Sequence, residues 1–498
     1  MIPETRHSDE AAEATPAREA AAGGIHGALR ALFPASPEAV PSTWTRRILA
    51  VAVQIAAVCL GAVALLLRIP GVPSWDAVYA EDRWEFLVHA YQHPWHLYVA
   101  FGGYEQLLQR VVAQFVTYLP VADAAIAFAV AGALIAAGCA LFIFHASAGH
   151  IRSAPLRVLL AAAVVLLSSA PMEIADSTVA VFFYLLLALF WAVLWRPRTR
   201  TGKAAAAVVA FVTAASTSIA ILFAPLLAIR LIVLRRPSEH VVTAGWLAGC
   251  LVQLPLVLGT IFQGQSRLAG FGPSTGKSNR LGDSLTFYAH DVVLRAIGWH
   301  LSWRLESLTG IDWATAIVAV ALAVILGVIM VTQAGARPFV VVALLTGFVF
   351  SMVSTILTPW VAAWPVTIQK EPAARYTALP IFLIEAAVIV GVDFALRKRR
   401  GVRERHGLGR RYPQMGLLPA VAVTALIAVL ATSWAVDFRY KGIRAKSYSE
   451  RWSVWVDEFR NECRDSPSGE IRMPIYPGGI LRKPATKYLV IPCDRVRL

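Results

Sequence analysis

"RRILAVAVQIAAVCLGAVALLL", residues 46–67, decides how the rest of the chain is to be read. Two arginines precede about 20 residues whose one strongly polar side chain is Gln54, the length a helix needs to cross the hydrocarbon core of a bilayer. The run is too long for the apolar core of a signal peptide and no small-residue cleavage site follows it, so it is expected to remain as a membrane anchor. Comparable runs recur at 121–144, 155–171, 175–195, 204–218, 220–235, 241–261, 313–332, 338–357, 377–396 and 416–435, which makes eleven. The pair 204–235 is short and interrupted in "AASTSIAILFAPLL", so a re-entrant hairpin is an alternative there.

Composition agrees with this reading. Hydrophobic residues make up 57% of 498 positions and charged residues 15%, with a mean hydropathy of +0.60, which excludes an ordinary soluble domain. The expected fold class is an all-α polytopic membrane protein of about 11 transmembrane helices with a small C-terminal α+β extracytoplasmic domain. The net charge of +15 does not point to nucleic acid, because the basic residues lie in short loops between apolar runs. Arg196, Arg198, Arg200 and Lys203, then Arg235 and Arg236, then Arg397, Lys398, Arg399, Arg400, Arg403, Arg405, Arg410 and Arg411 follow the positive-inside pattern. With Arg46 and Arg47 inside, eleven crossings put the N-terminus in the cytoplasm and the C-terminus outside. The Ala- and Arg-rich composition suits the plasma membrane of a bacterium.

Residues 1–45, rich in Ala, Glu and Pro, read as a disordered cytoplasmic tail. The membrane domain spans 46–435, and its outward loops with room for chemistry are 68–120, 262–312 and 358–376. In the first, Trp84, Leu87, Val88 and Tyr91 fall at helical spacing and predict a surface helix over 81–92. Residues 436–498 read as a helix in "SERWSVWVDEFRNEC" and two short strands in "SGEIRMPIYPGG" and "ATKYLVIPCDRVRL". Cys463 and Cys493, the only cysteines of this appendage, are candidates for a disulfide in an oxidising compartment.

The first loop raises a chemical question: "WDAVYAEDRWEF", residues 75–86, puts Asp76, Glu81, Asp82 and Glu85 beside a membrane helix. Asp82 and Glu85 have the D-x-x-E spacing of a capping box, so helix capping is one reading for them. The other is a general base at the bilayer surface, taking a proton from an attacking hydroxyl, for which Asp82, Glu81 and Asp76 are candidates. Outward cations that could meet a lipid phosphate are Arg110, Lys370 and Arg375, the last followed by Tyr376; the alternative for each is snorkelling to headgroups. Glu173, with Asp176 one turn on, faces a polar cavity or caps a turn. His290, Asp291 and His300 read as structural, and no metal-ligand spacing stands out. Walker, Gly-rich nucleotide and G-x-S-x-G motifs are missing.

Taken together, "AEDRWEFL", "GYEQLLQR", "APMEIADS" and "ARYTALP" in their many-spanned setting resemble the GT-C superfamily of integral-membrane glycosyltransferases. That resemblance implies a sugar moved, with inversion, from a polyprenyl-phosphate donor to a cell-envelope glycan, lipid or protein acceptor on the extracytoplasmic face. It implies a first-loop carboxylate as base, with Asp82 favoured over Glu81 and Asp76. Arg375, Tyr376, Arg110 and Lys370 would bind the donor phosphate, and Glu173 and Tyr104 would line the substrate cavity. Some relatives use a divalent metal, Mg or Mn. Other classes that fit the composition are a lipid-linked sugar flippase or transporter and an envelope polysaccharide polymerase or ligase.

Overall fold

The computed structural model describes residues 24–37, 43–68, 72–78, 81–167, 178–262, 280–357, 375–405, 417–438, 451–465, 469–475 and 487–493. Each of the eleven apolar segments carries a helix. In chain order the helices are α1 (Gly24–Ala31), α2 (Trp44–Leu66), α3 (Val88–Gln92), α4 (Leu107–Val116), α5 (Ala124–Ala146), α6 (Ala154–Leu166), α7 (Val181–Leu194), α8 (Arg200–Ser216) and α9 (Ala224–Val233). There follow α10 (Val241–Phe262), α11 (Arg280–Phe287), α12 (Trp299–Thr309), α13 (Ile311–Thr332), α14 (Arg337–Leu357), α15 (Ala378–Arg405), α16 (Leu417–Asp437) and α17 (Trp452–Asp465). A wider, π-wound segment, Asp82–Leu87, leads into α3. Strands β1 (Glu470–Ile475) and β2 (Lys487–Pro492) pair antiparallel, with Ile471 opposite Ile491.

Among the described residues, six helices are long and apolar enough to cross a membrane: Trp44–Leu66, Val121–Gly149, Val241–Thr260, Ile311–Thr332, Arg337–Ile356 and Arg375–Lys398. The protein is thus a helical membrane protein with a small strand pair near its C-terminus. Helices α6, α7, α8 and α9 have 13, 14, 17 and 10 residues, about 15–26 Å at 1.5 Å per residue, against a hydrocarbon core of about 30 Å. The break between α8 and α9 falls at Thr217, whose extended backbone (φ −157°, ψ 132°) ends α8 before a short 3-10 segment starts.

Helix α7 is the centre. Its sequence VFFYLLLALFWAVL has no polar face, and all of its residues are buried, as expected of a helix that is apolar all round. It packs against α5, α8, α9, α10 and α15. Helices α8 and α10 approach so closely that a Cβ on Gly245 would lie 2.4 Å from the Ala207 carbonyl oxygen, and one on Gly249 2.6 Å from that of Phe211. Gly245 and Gly249 are four apart, the small-residue spacing that lets two membrane helices touch backbone to backbone.

Helix ends are closed by side chains from distant segments. Arg68 donates to the carbonyls of Val165 (2.8 Å) and Leu167 (2.9 Å) at the end of α6. Asp393 of α15 accepts from the amides of Arg152 (3.0 Å) and Ser153 (2.9 Å) just before α6. Asp437 accepts from Trp299 (2.8 Å) and His300 (3.0 Å) at the start of α12. Inside a bilayer such groups have no water to turn to, so the chain supplies the partners.

Residues 24–37, inside the segment expected to be a disordered tail, are ordered. Leu32 and Phe33 are buried in the core, Phe33 lies under the Arg230 guanidinium, and Trp195 Nε1 donates to Ser36 Oγ at 2.8 Å. These contacts, with Ser36 N donating to the Arg196 carbonyl at 3.3 Å, dock this stretch on the basic end of the bundle, where Arg196, Lys203 and Arg230 surround Glu239.

Candidate functional site

The opposite end of the bundle holds the first loop, the start of α7 and the start of α15. Asp82 is 1% exposed; its Oδ2 accepts from the Thr178 amide at 3.0 Å and its Oδ1 from the Thr178 hydroxyl. The carboxylate therefore leaves its own helix and fastens the entry to α7, so the local capping box is not formed. Asp76 accepts from the Ser453 amide (2.8 Å) and hydroxyl (3.0 Å) in the first turn of α17. With Trp452 Nε1 donating to the Val121 carbonyl at 2.7 Å, it ties the C-terminal unit to the membrane helices. Within that unit Cys463 and Cys493 form a disulfide.

Glu81 has neither tie. It makes no cap hydrogen bond and, among the described residues, no ion pair. Its half-buried side chain acts electrostatically on Tyr104, as do Tyr376 and Arg375. Burial is the main cause that pushes the Tyr104 hydroxyl well above its ordinary range, Tyr376 and Glu81 add to it, and Arg375 opposes. Tyr104 is held there by a tight turn: Phe101 N donates to the Tyr104 carbonyl at 2.9 Å, and between them Gly102 and Gly103 take φ of 66° and 93°, which glycine alone adopts freely. The Arg375 guanidinium lies 5.3 Å from the Tyr376 ring centre, and Tyr376 meets Phe183 of α7 edge-on at 5.8 Å. Glu81, Tyr104, Arg375 and Tyr376, from three distant stretches of sequence, are thus brought together. Lys370 and Glu173 lie outside the described residues.

Arg110 stands next to this group in a buried ion-pair network. It is 3.2 Å from Glu85 and 3.6 Å from Glu105, donates from Nε to the Val99 carbonyl at 3.1 Å, and lies against the Phe86 ring. Two carboxylates around one guanidinium leave no surplus positive charge. Glu105 is fixed on both sides, because Gln253 accepts from its amide (2.8 Å) and donates to its carbonyl (2.9 Å), while Val99 N donates to its Oε2 at 2.9 Å. Burial raises the Glu105 carboxyl to about 7 against the opposing pull of Arg110. On the far side His89, His93 and His96 cluster with ring centres 5.2–6.3 Å apart. Burial, then Arg110, then the two histidines lower His89 to about 4. Among the described residues no group of three or more His, Cys, Asp or Glu is arranged to hold a metal ion, so a donor set for Mg or Mn is not found among them.

Sequence reasoning passed over Glu105, Gln106, Gln109, Gln114, Thr178 and Gln253. A signal for two of them exists: Gln106 and Gln109 stand with Arg110 at i, i+3 and i+4, a polar stripe on one helix face in a chain otherwise apolar. No family model matches the chain, and no curated protein or solved structure matches it either.

Proposed function

We propose that the chain is a GT-C-like glycosyltransferase of a bacterial plasma membrane, moving a sugar from a polyprenyl-phosphate donor to a cell-envelope acceptor. In this reading eleven helices cross, the basic end faces the cytoplasm and the C-terminal unit lies outside. One observation carries it: a carboxylate without a structural tie, Glu81, shares the non-basic end of the bundle with Tyr104 and the Arg375–Tyr376 pair.

In the mechanism this implies, Glu81 takes the proton of the acceptor hydroxyl as its oxygen attacks the anomeric carbon. The bond from that carbon to the phosphate oxygen breaks on the opposite face, which inverts the centre. Arg375 meets the negative charge that grows on the departing phosphate. Asp82, which the sequence favours as base, becomes a positioning residue because Thr178 occupies both of its oxygens.

The test is transfer from a polyprenyl-phosphate-linked radiolabelled sugar in proteoliposomes. Glu81→Gln is expected to lower kcat by about 10²–10⁴-fold, the scale of a lost general base, with the protein still folded. Full activity in Glu81→Gln sinks the assignment. A second reading, a lipid-linked sugar flippase or transporter, is favoured by Glu385: it is buried within the Arg375–Lys398 span and its Oε2 has no hydrogen-bond partner among the described residues. Intramembrane carboxylates often mark substrate or proton paths. Loss of lipid-sugar translocation in Glu385→Gln, without any transfer chemistry in the wild type, decides for it. A polymerase or ligase would instead lengthen or join glycan chains from the same donor.

A further inference from the structure

We propose that Glu105, Gln106, Gln109 and Arg110 form a subsite for a neutral, polyhydroxylated group, the sugar ring of the lipid-linked donor; this rests on the glycosyltransferase reading above. All four are buried, at 0%, 2%, 0% and 3% exposure. Among the described residues, Gln109 has a hydrogen-bond partner on neither amide atom, Gln106 none on Oε1, Glu105 none on Oε1 and Arg110 none on Nη1.

Polar neighbours in the same layer are satisfied. Gln114 accepts from Trp95 N at 2.7 Å and donates to Thr117 at 3.2 Å, and Gln253 is clamped to the Glu105 backbone. Around the first loop the unpartnered atoms thus gather at the entry to α4 and its first turn. Buried polar groups are almost always paired in native proteins, with protein, ordered water or ligand.

The donor set says which ligand fits. Two free acceptors, on Gln106 and Gln109, stand with two donors, Gln109 Nε2 and Arg110 Nη1, while Glu105 Oε1 faces Arg110 Nε at 3.6 Å. Hydroxyl groups, each both donor and acceptor, match such a mixture. An anion does not, because Glu85 and Glu105 already offset Arg110. Position agrees with the chemistry: Tyr104 directly precedes Glu105, α4 packs on the Asp82–Leu87 segment, and Arg110 pairs with Glu85, one turn beyond Glu81.

The test uses the full-length protein in phosphatidylethanolamine–phosphatidylglycerol nanodiscs and native mass spectrometry with three probes: polyprenyl phosphate, polyprenyl-phosphoglucose and polyprenyl-phosphomannose. The wild type is expected to hold at least one sugar-bearing lipid about tenfold more tightly than the bare phosphate, the scale of one or two net hydrogen bonds. Gln109→Leu should erase that sugar-dependent gain and leave binding of the bare phosphate unchanged. Gln106→Leu, read beside thermal unfolding, serves if Gln109→Leu does not fold. Equal affinity of the wild type for all three lipids, or an undiminished sugar preference in both variants, overturns the subsite while leaving the donor reading intact. Failure of the wild type to bind any of the three removes that reading and the subsite with it.

Discussion

Glu105 and His89 flank Arg110 and titrate in opposite senses, which makes their pH dependence a direct test of the buried network. Glu105 ordinarily titrates near 4.5 and rises to about 7 on folding. The folded chain then holds a proton that the unfolded chain has released, so stability falls as pH climbs from about 4.5 to 7. At 1.36 kcal/mol per pH unit the fall is on the order of 3 kcal/mol, and its side chain is fully buried. His89 moves the other way, from 6.5 to about 4. Between those values the unfolded chain binds the proton and the folded one does not, so stability rises with pH. His89 is only partly buried, and with solvent screening its share is roughly half as large. Together these two groups should thus withdraw on the order of 1–2 kcal/mol of stability between pH 4.5 and 7. Glu105→Gln keeps the acceptor for Val99 N and leaves His89 alone, so its stability should rise relative to the wild type over the same range. His89→Gln should fall more steeply than the wild type. Tryptophan fluorescence on heating, with 15 tryptophans as reporters, reads the midpoint in detergent at each pH. A Glu105→Gln profile parallel to that of the wild type would refute the buried-carboxyl argument.

Three further outcomes follow from the packing. Asp82→Ala removes both bonds from Thr178 to a buried carboxylate and should lower stability by about 3 kcal/mol, with Asn restoring part of it; an unchanged melting midpoint in Ala denies the joint between the first loop and α7. Gly249→Leu drives a side chain into the backbone of α8, where even a Cβ meets the Phe211 carbonyl at 2.6 Å, and should cost at least 1–3 kcal/mol; wild-type melting behaviour would mean that the α8–α10 contact is looser than described. Asp76→Ala should speed hydrogen exchange at the Ser453 amide and its neighbours in α17, and reducing the Cys463–Cys493 bridge, 30 residues apart, should weaken the C-terminal unit by about 3–4 kcal/mol; exchange in α17 that ignores both changes would show the unit is held by other contacts.

The helices were legible because their signal is local: about 20 apolar residues need no partner to be recognised. What the apolar runs could not reveal is how the helices end. Asp82 meets Thr178 across 96 positions and Asp393 meets Arg152 across 241, and no periodicity in a single sequence encodes a pairing at that distance. The D-x-x-E spacing at 82–85 illustrates the failure in detail. Its capping box is a local solution, and it lost to a distant amide that would otherwise be buried unpaired. Docking of Leu32 and Phe33 was hidden for a related reason, since two apolar residues in an Ala-rich tail carry no periodic signal. At the site, the acids and Arg375 stood out as charges in an apolar chain. The glutamines did not, because a neutral amide is conspicuous only once its burial is known.

The crowd of carboxylates beside the first membrane helix now divides by occupation. Asp76 closes the start of α17, Asp82 fastens Thr178, and Glu85 neutralises Arg110. Each of these is a joint, and a joint has to hold its partners throughout. A general base has the opposite requirement: it must gain a proton in every turnover, giving up its acceptor lone pairs, and then lose it again. A carboxylate serving both needs would let go of a buried amide once per cycle, exposing an unpaired donor at a helix entry each time. In the proposed mechanism the two tasks are therefore carried by different side chains, and Glu81, which makes no cap hydrogen bond and, among the described residues, no ion pair, is the acid left for the second.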